Sequence, residues 1–155
     1  MADLTPLDEK LAEVLGLAQA AQAATSHVVK MDGADDFKAD LDRMSAQAKE
    51  TEQRIDTFEG KKTAIRDMAR ETKTEAVEMM KTYLGDEEEA LDGFEFLSMA
   101  EAGELCHWEI VGEMAGRTGD QQARQLADWA VDVQKRHFEV VRESSLELAE
   151  AEVRG

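Results

Sequence analysis

Positions 7, 11, 14, 18, 22, 25 and 29 hold Leu, Leu, Val, Ala, Gln, Thr and Val, so small or apolar residues return every three or four positions. That spacing lines one side of an α-helix and fits no strand, whose side chains alternate faces every residue. The same rhythm recurs four more times down the chain. The only proline, Pro6, precedes the first stripe instead of breaking one. Ala, Leu, Glu, Lys, Gln and Met, which lose little side-chain freedom in helices, are abundant. Aromatics make up 5% of the 155 residues, and no long Val/Ile/Tyr alternation occurs. The expectation is an all-α chain.

The punctuation predicts five helices. Thr5 caps the first, Pro6 fits its first position and Asp8 completes a capping box. It should end near Met31, before Asp32-Gly33. The second starts around Asp35, carries Phe37, Leu41, Met44, Ala48, Thr51, Ile55 and Phe58, and stops at Gly60. The third runs from about Lys62 to Leu84, with Ile65, Met68, Thr72, Ala76, Met79 and Tyr83 on one side, and Gly85 ends it. Asp86-Glu87-Glu88-Glu89 reads as a capping box that opens the fourth, with Gly116 as its end. Thr118-Gly119-Asp120-Gln121 opens the fifth, which continues nearly to the C-terminus through Leu126, Ala130, Val133, His137, Val140 and Leu148. With short connections and no linker or repeat, residues 1–155 read as one compact helical bundle domain.

A formal net charge of −17 argues against nucleic acid or an anionic membrane as partner, because phosphate contacts need Lys and Arg. No apolar run is long enough to span a bilayer. Met-Ala-Asp-Leu-Thr-Pro has no basic region followed by an apolar core, so a secretory signal is not expected. A single cysteine, Cys106, cannot form an intramolecular disulfide and reads as a reduced thiol in a cytoplasmic protein. Its apolar neighbours point to core or interface packing.

The fourth helix is apolar on two sides. Phe94, Leu97, Leu105, Trp108, Val111 and Ala115 share one arc, and Phe96, Met99, Cys106, Ile110 and Met114 a second. One arc should meet the core. The other should meet the third helix or a second subunit, which makes a homodimer the expected assembly. Glu101 and Glu104 fall inside the first arc, with His107 at its margin. Glu104 and His107 are three residues apart and can reach one point beside the helix. Glu-x-x-His on facing helices is how ferritin-like carboxylate bundles hold two iron or manganese ions. In a Glu-rich helical chain the same pattern also arises as a solvent-facing pair. Glu109 points nearly opposite to His107.

His137 lies in the fifth helix's apolar stripe, one turn after Gln134. A histidine there serves either as a hydrogen-bonded core residue or as a ligand. His27 falls on a surface position. The first two helices offer few inward acids: Gln22 and Thr25 on one, Gln47 and Glu50 on the other, with Glu52 on a different side. A complete di-metal site needs about four carboxylates and two imidazoles, and neutral amides do not balance the charge of two cations.

Two stretches resemble the ferritin-like proteins of the bacterial YciE/YciF type. Cys106-His107-Trp108-Glu109-Ile110 is similar to that family's Glu-His-Tyr-Glu-Ile segment on a late helix. Glu50-Thr51-Glu52-Gln53-Arg54-Ile55-Asp56 is similar to its second-helix end. The resemblance implies a ferritin-like four-helix bundle with an additional crossover helix, often oligomeric and stress-associated, with metal binding inferred from its carboxylates. It carries over His107 and Glu109 directly, and Glu50 if the second-helix acid shifts by one turn. The chain departs from the pattern at Cys106, at Gln47 and at Gln22 or Ala21. Two readings follow. In the first, Glu101, Glu104 and His107, with His137 and Glu50 opposite and Glu109 from the family motif, form a partly degenerate iron or manganese site, with at most weak ferroxidase or peroxide chemistry. In the second, the chain is a non-catalytic oligomer or interaction module whose metal site has been lost.

Overall fold

The computed structural model describes residues 3–58 and 62–155, without the Lys62 side chain. Among the described residues the protein is all-helical: α1 (Pro6–Val28), a short 3-10 turn (Asp35–Phe37), α2 (Lys38–Ile55), α3 (Lys62–Leu84), α4 (Ala90–Thr118) and α5 (Gln121–Arg154). There is no strand among them, only an isolated bridge between Asp32 and Glu89. The expected capping box forms. The Thr5 hydroxyl accepts from Asp8 N at 3.1 Å, and the Asp8 carboxylate accepts from Thr5 N at 2.8 Å. Asp120 likewise caps α5 by accepting from Ala123 N.

Some helix ends and one cap differ from the sequence expectation: α1 ends at Val28, short of the expected Met31. Gly116 does not end α4, which continues to Thr118; Gly119 ends it, at φ +75°. A glycine inside a helix costs only about 1 kcal/mol, so it stops a helix only where the backbone turns left-handed. The acidic run Asp86–Glu89 makes no side-chain cap on α4. Instead, Asp32 N donates to Glu88 O and Ala90 N to Asp32 O, both at 2.8 Å. Backbone pairing with the α1–α2 connection satisfies groups that a capping side chain would otherwise serve. α2 ends at Ile55, and the expected stop at Gly60 lies outside the described residues.

α4 and α5 pair along most of their lengths, and α1 packs against α2, α3 and α4. α3 lies on α1 and barely touches α4. The apolar core falls into two clusters. Leu7, Leu11, Leu15, Trp108, Val111, Leu126 and Ala130 fill one end; Val28, Phe37, Leu41, Phe94, Leu97 and Val141 fill the other, where Phe37 and Phe94 meet edge to face at 5.2 Å. Trp108, Phe94 and Val111 are completely buried, as the first arc of α4 requires. The second arc is only half covered: Phe96, Ile110 and Met114 are partly buried, while Met99 and Cys106 are exposed. Cys106 is therefore not a core residue, whereas Phe96 on the same arc packs against Tyr83 of α3, with ring centroids 5.7 Å apart. No described helix is long and apolar enough to cross a membrane.

Candidate functional site: a buried polar layer

Between the two apolar clusters, three helices supply polar side chains at one level. α4 contributes Glu101 and Glu104, between Leu97 and Trp108. α5 contributes Gln134 and His137, between Ala130 and Val141. α2 contributes Gln47. Helical spacing explains the level: three residues bring a side chain back to nearly the same face, so a pair placed mid-stripe on each long helix replaces one layer of core. Glu101, Glu104, Gln134 and His137 are 1%, 4%, 2% and 4% exposed, respectively.

The layer is tied together internally. Gln134 Nε2 donates to Glu104 Oε2 at 3.2 Å. His137 Nε2 lies 2.5 Å from Gln47 Oε1. His137 Nδ1 lies 3.5 Å from Glu101 Oε2, within ion-pair distance, but no hydrogen bond forms there. With Gln47 Oε1 as acceptor, His137 Nε2 must carry a proton. A favourable Nδ1–Glu101 contact then needs one more proton, on the ring or on the carboxyl. Glu101 Oε2 and Gln134 Oε1 are both buried without a hydrogen-bond partner.

Burial pushes the Glu104 carboxyl well above the usual carboxylate range, and repulsion from Glu101 adds to this. The folded state thus holds this proton more tightly than the unfolded chain. The associated stability is fully present below the ordinary value of 4.5 and is lost as pH rises through the folded value. Glu104→Gln cannot ionise and should remove the loss. Its melting temperature is expected to exceed the wild type's at pH 8 and to converge with it toward pH 4. For a chain of this length each kcal/mol corresponds to about 2–4 °C. Parallel melting curves across pH would contradict this placement of Glu104.

The structure brings Glu101, Glu104 and His137 together and leaves the other candidates elsewhere. His107 does not join Glu104. Its Nδ1 bonds the Gly103 carbonyl at 2.8 Å, and its Nε2 lies 3.4 Å from Glu13 Oε2 on α1, which also accepts from Lys10. The three-residue step rotates His107 just past the packed face, where α1 offers an acid and α5 does not. Glu50 is half exposed and pairs with Arg54 at 3.3 Å. Glu109 is exposed, and so is His27. Gln22 bonds its own helix at Ala18 O, and buried Thr25 does the same at Ala21 O. Glu13 was not foreseen; a lone acid on a helix margin has no signal in the sequence. Among the described residues no group of three or more His, Cys, Asp or Glu side chains is arranged to hold a metal ion. The donor set of two carboxylates, one imidazole and two amides falls short of what two divalent ions need.

No family model matches this chain, and neither a curated protein nor a solved structure is significantly similar to it.

Proposed function

We propose that the protein is a ferritin-like bundle acting as a non-catalytic binding module, in which a hydrogen-bonded polar layer takes the place of a di-metal centre. On this reading α1, α2, α4 and α5 are the four-helix core and α3 is the crossover helix. The observation that carries it is the pairing of Gln134 with Glu104 and of Gln47 with His137. Each amide meets a group that would be a ligand in a di-metal bundle, and supplies a neutral partner where a cation would sit. The sequence resemblance at Cys106–Ile110 and Glu50–Asp56 supports the ferritin-like ancestry.

Loading purified protein with Fe(II) or Mn(II), followed by desalting and elemental analysis, tests this. The expected result is well below one equivalent per chain, with a melting temperature unchanged by EDTA. About two equivalents, lost in Glu101→Ala/Glu104→Ala, would overturn it. A second reading, one divalent cation in the layer, is favoured by Glu101 Oε2 and Gln134 Oε1, which are buried without a hydrogen-bond partner. It requires about one equivalent, abolished by Glu101→Gln.

A further inference from the structure

α1 forms the floor of a groove of about 690 Å³, with the second half of α3 and the middle of α4 as its walls. Its origin is visible along α1. Gly16 lets α3 approach so closely that a Cβ there would lie 2.6 Å from Ala69 O. Farther on, α1 presents Ala20, Ala21 and Ala24, which are too small to fill the space that opens between α3 and α4. At the rim, Met79, Tyr83 and Met99 are 69%, 47% and 53% exposed, so three of the molecule's most exposed large apolar side chains converge on one opening. Glu101 and Glu104 reach the lining from the polar layer but are almost fully buried, so the surface on offer is apolar. Apolar surface gathered in one exposed place marks an interaction site.

The charge on the margins has one sign. Glu75 precedes Met79 by four positions, and Glu95 precedes Met99 by four, so each acid stands one turn from a rim methionine on the same face. Both are exposed, as is Glu78, which lines the groove. The nearest cations of α3, Lys73 and Lys81, fall about 120° and about 160° around the helix from Met79. α4 holds no Lys or Arg before Arg117 in its last turn, and the one lysine of α1, Lys10, pairs with Glu13. The groove is an apolar seat between acidic edges.

We propose that this groove docks an amphipathic helix of a partner protein, its apolar face on the alanines between Met79, Tyr83 and Met99 and its Lys and Arg margins against Glu75, Glu78 and Glu95. The seat is long enough: Phe96 to His107, both in the lining, span about 16 Å at 1.5 Å per residue, about three turns of a docked helix. A floor of small side chains lets a helix come close, and methionines at the rim adapt to what it carries. Acids around the apolar seat fix the sign of the partner's charge. A second copy of this chain would set the same acids against one another across a two-fold axis. An anionic lipid surface would be repelled for the same reason. The inference rests on the binding-module reading and deepens it by naming the partner's chemistry.

The test is fluorescence anisotropy at low ionic strength with a labelled helix-forming peptide of about five turns. It carries Leu and Phe at i, i+4, i+7 and i+11 and Lys on both margins. One control has the same composition with the apolar positions scrambled; the other has Glu in place of Lys. The amphipathic Lys peptide is expected to bind at least about tenfold more tightly than either. Glu75→Lys/Glu78→Lys should weaken it by about tenfold. The matched reversal Glu143→Lys/Glu147→Lys, at exposed positions of α5, should leave it within about twofold, which separates the groove from the overall charge of −17. Met79→Asp/Met99→Asp adds charge of the attracting sign, yet should abolish binding. Both side chains are exposed, so this variant should remain folded by circular dichroism. Equal binding of the scrambled peptide, equal loss in the α5 variant, or binding that survives Met79→Asp/Met99→Asp overturns the proposal. So does a dimer in light scattering that Met79→Asp/Met99→Asp dissociates, because a second copy would then cover the groove. The metal loading is scored separately. Two bound ions refute the polar-layer reading, whereas failure of the peptide refutes only the partner.

Discussion

Replacing His137 with alanine is expected to lower the unfolding free energy by roughly 3–5 kcal/mol, the cost of removing one partner from a buried contact at ion-pair distance. His137 is 4% exposed and lies between Gln47, which is partly buried, and Glu101, which is 1% exposed and has no water to turn to. Urea denaturation at pH 7 measures the loss. The double variant Glu101→Met/His137→Leu should recover most of it, because a buried polar pair exchanged for apolar side chains of similar volume is often neutral or stabilising. The coupling in that cycle distinguishes a closed structural network from two independent residues. A loss below about 1 kcal/mol for His137→Ala would mean that the layer is solvated.

The second large effect is expected at Gly16. In a solvent-exposed helix, Gly→Ala gains nearly 1 kcal/mol from propensity. At Gly16 the added Cβ would lie 2.6 Å from Ala69 O and 2.7 Å from Thr72 Cβ. Ala69 O is a backbone atom of α3, so the helices must separate, and overpacking of this kind costs about 1–3 kcal/mol. Gly16→Ala should therefore destabilise by about 2 kcal/mol, against its propensity. Gly103→Ala, with open space around it, should stabilise by up to about 1 kcal/mol. Thermal melts of the two variants side by side check both signs. Stabilisation by Gly16→Ala would disprove the close α1–α3 contact.

The helices themselves were legible. The stripes marked all five among the described residues, and Lys62–Leu84 lies where the pattern puts it. Helix formation and capping depend on neighbours within about one turn, and those neighbours are contiguous in sequence. Termination was less legible. Gly116 and Gly119 look equivalent as letters, yet only the second adopts a positive φ, because the chain turns there to lay α5 on α4. The Asp86–Glu89 run looks like a cap, but the partner it finds is Asp32, more than fifty positions away.

The polar layer was legible in parts. Glu101, Glu104 and His137 were recognisable as acids and an imidazole on apolar stripes, and Gln47 and Gln134 as amides where acids belong. What those groups touch depends on helix rotation. A step of about 100° per residue turns Glu104 toward Gln134 and His107 toward Glu13, although only three positions separate them. The groove was not legible at all, because it is a gap between α3 and α4 that no single helix contains.

By itself the amino-acid sequence determined that this chain is helical, where most of its helices begin, and that acids and amides would interrupt its core. The tertiary structure alone decided which of those groups meet, and that an alanine-lined groove opens onto two of them. The physical reason is range. Backbone hydrogen bonds and caps are settled within a turn of helix, whereas burial, pairing of buried charges and unfilled space exist only between helices.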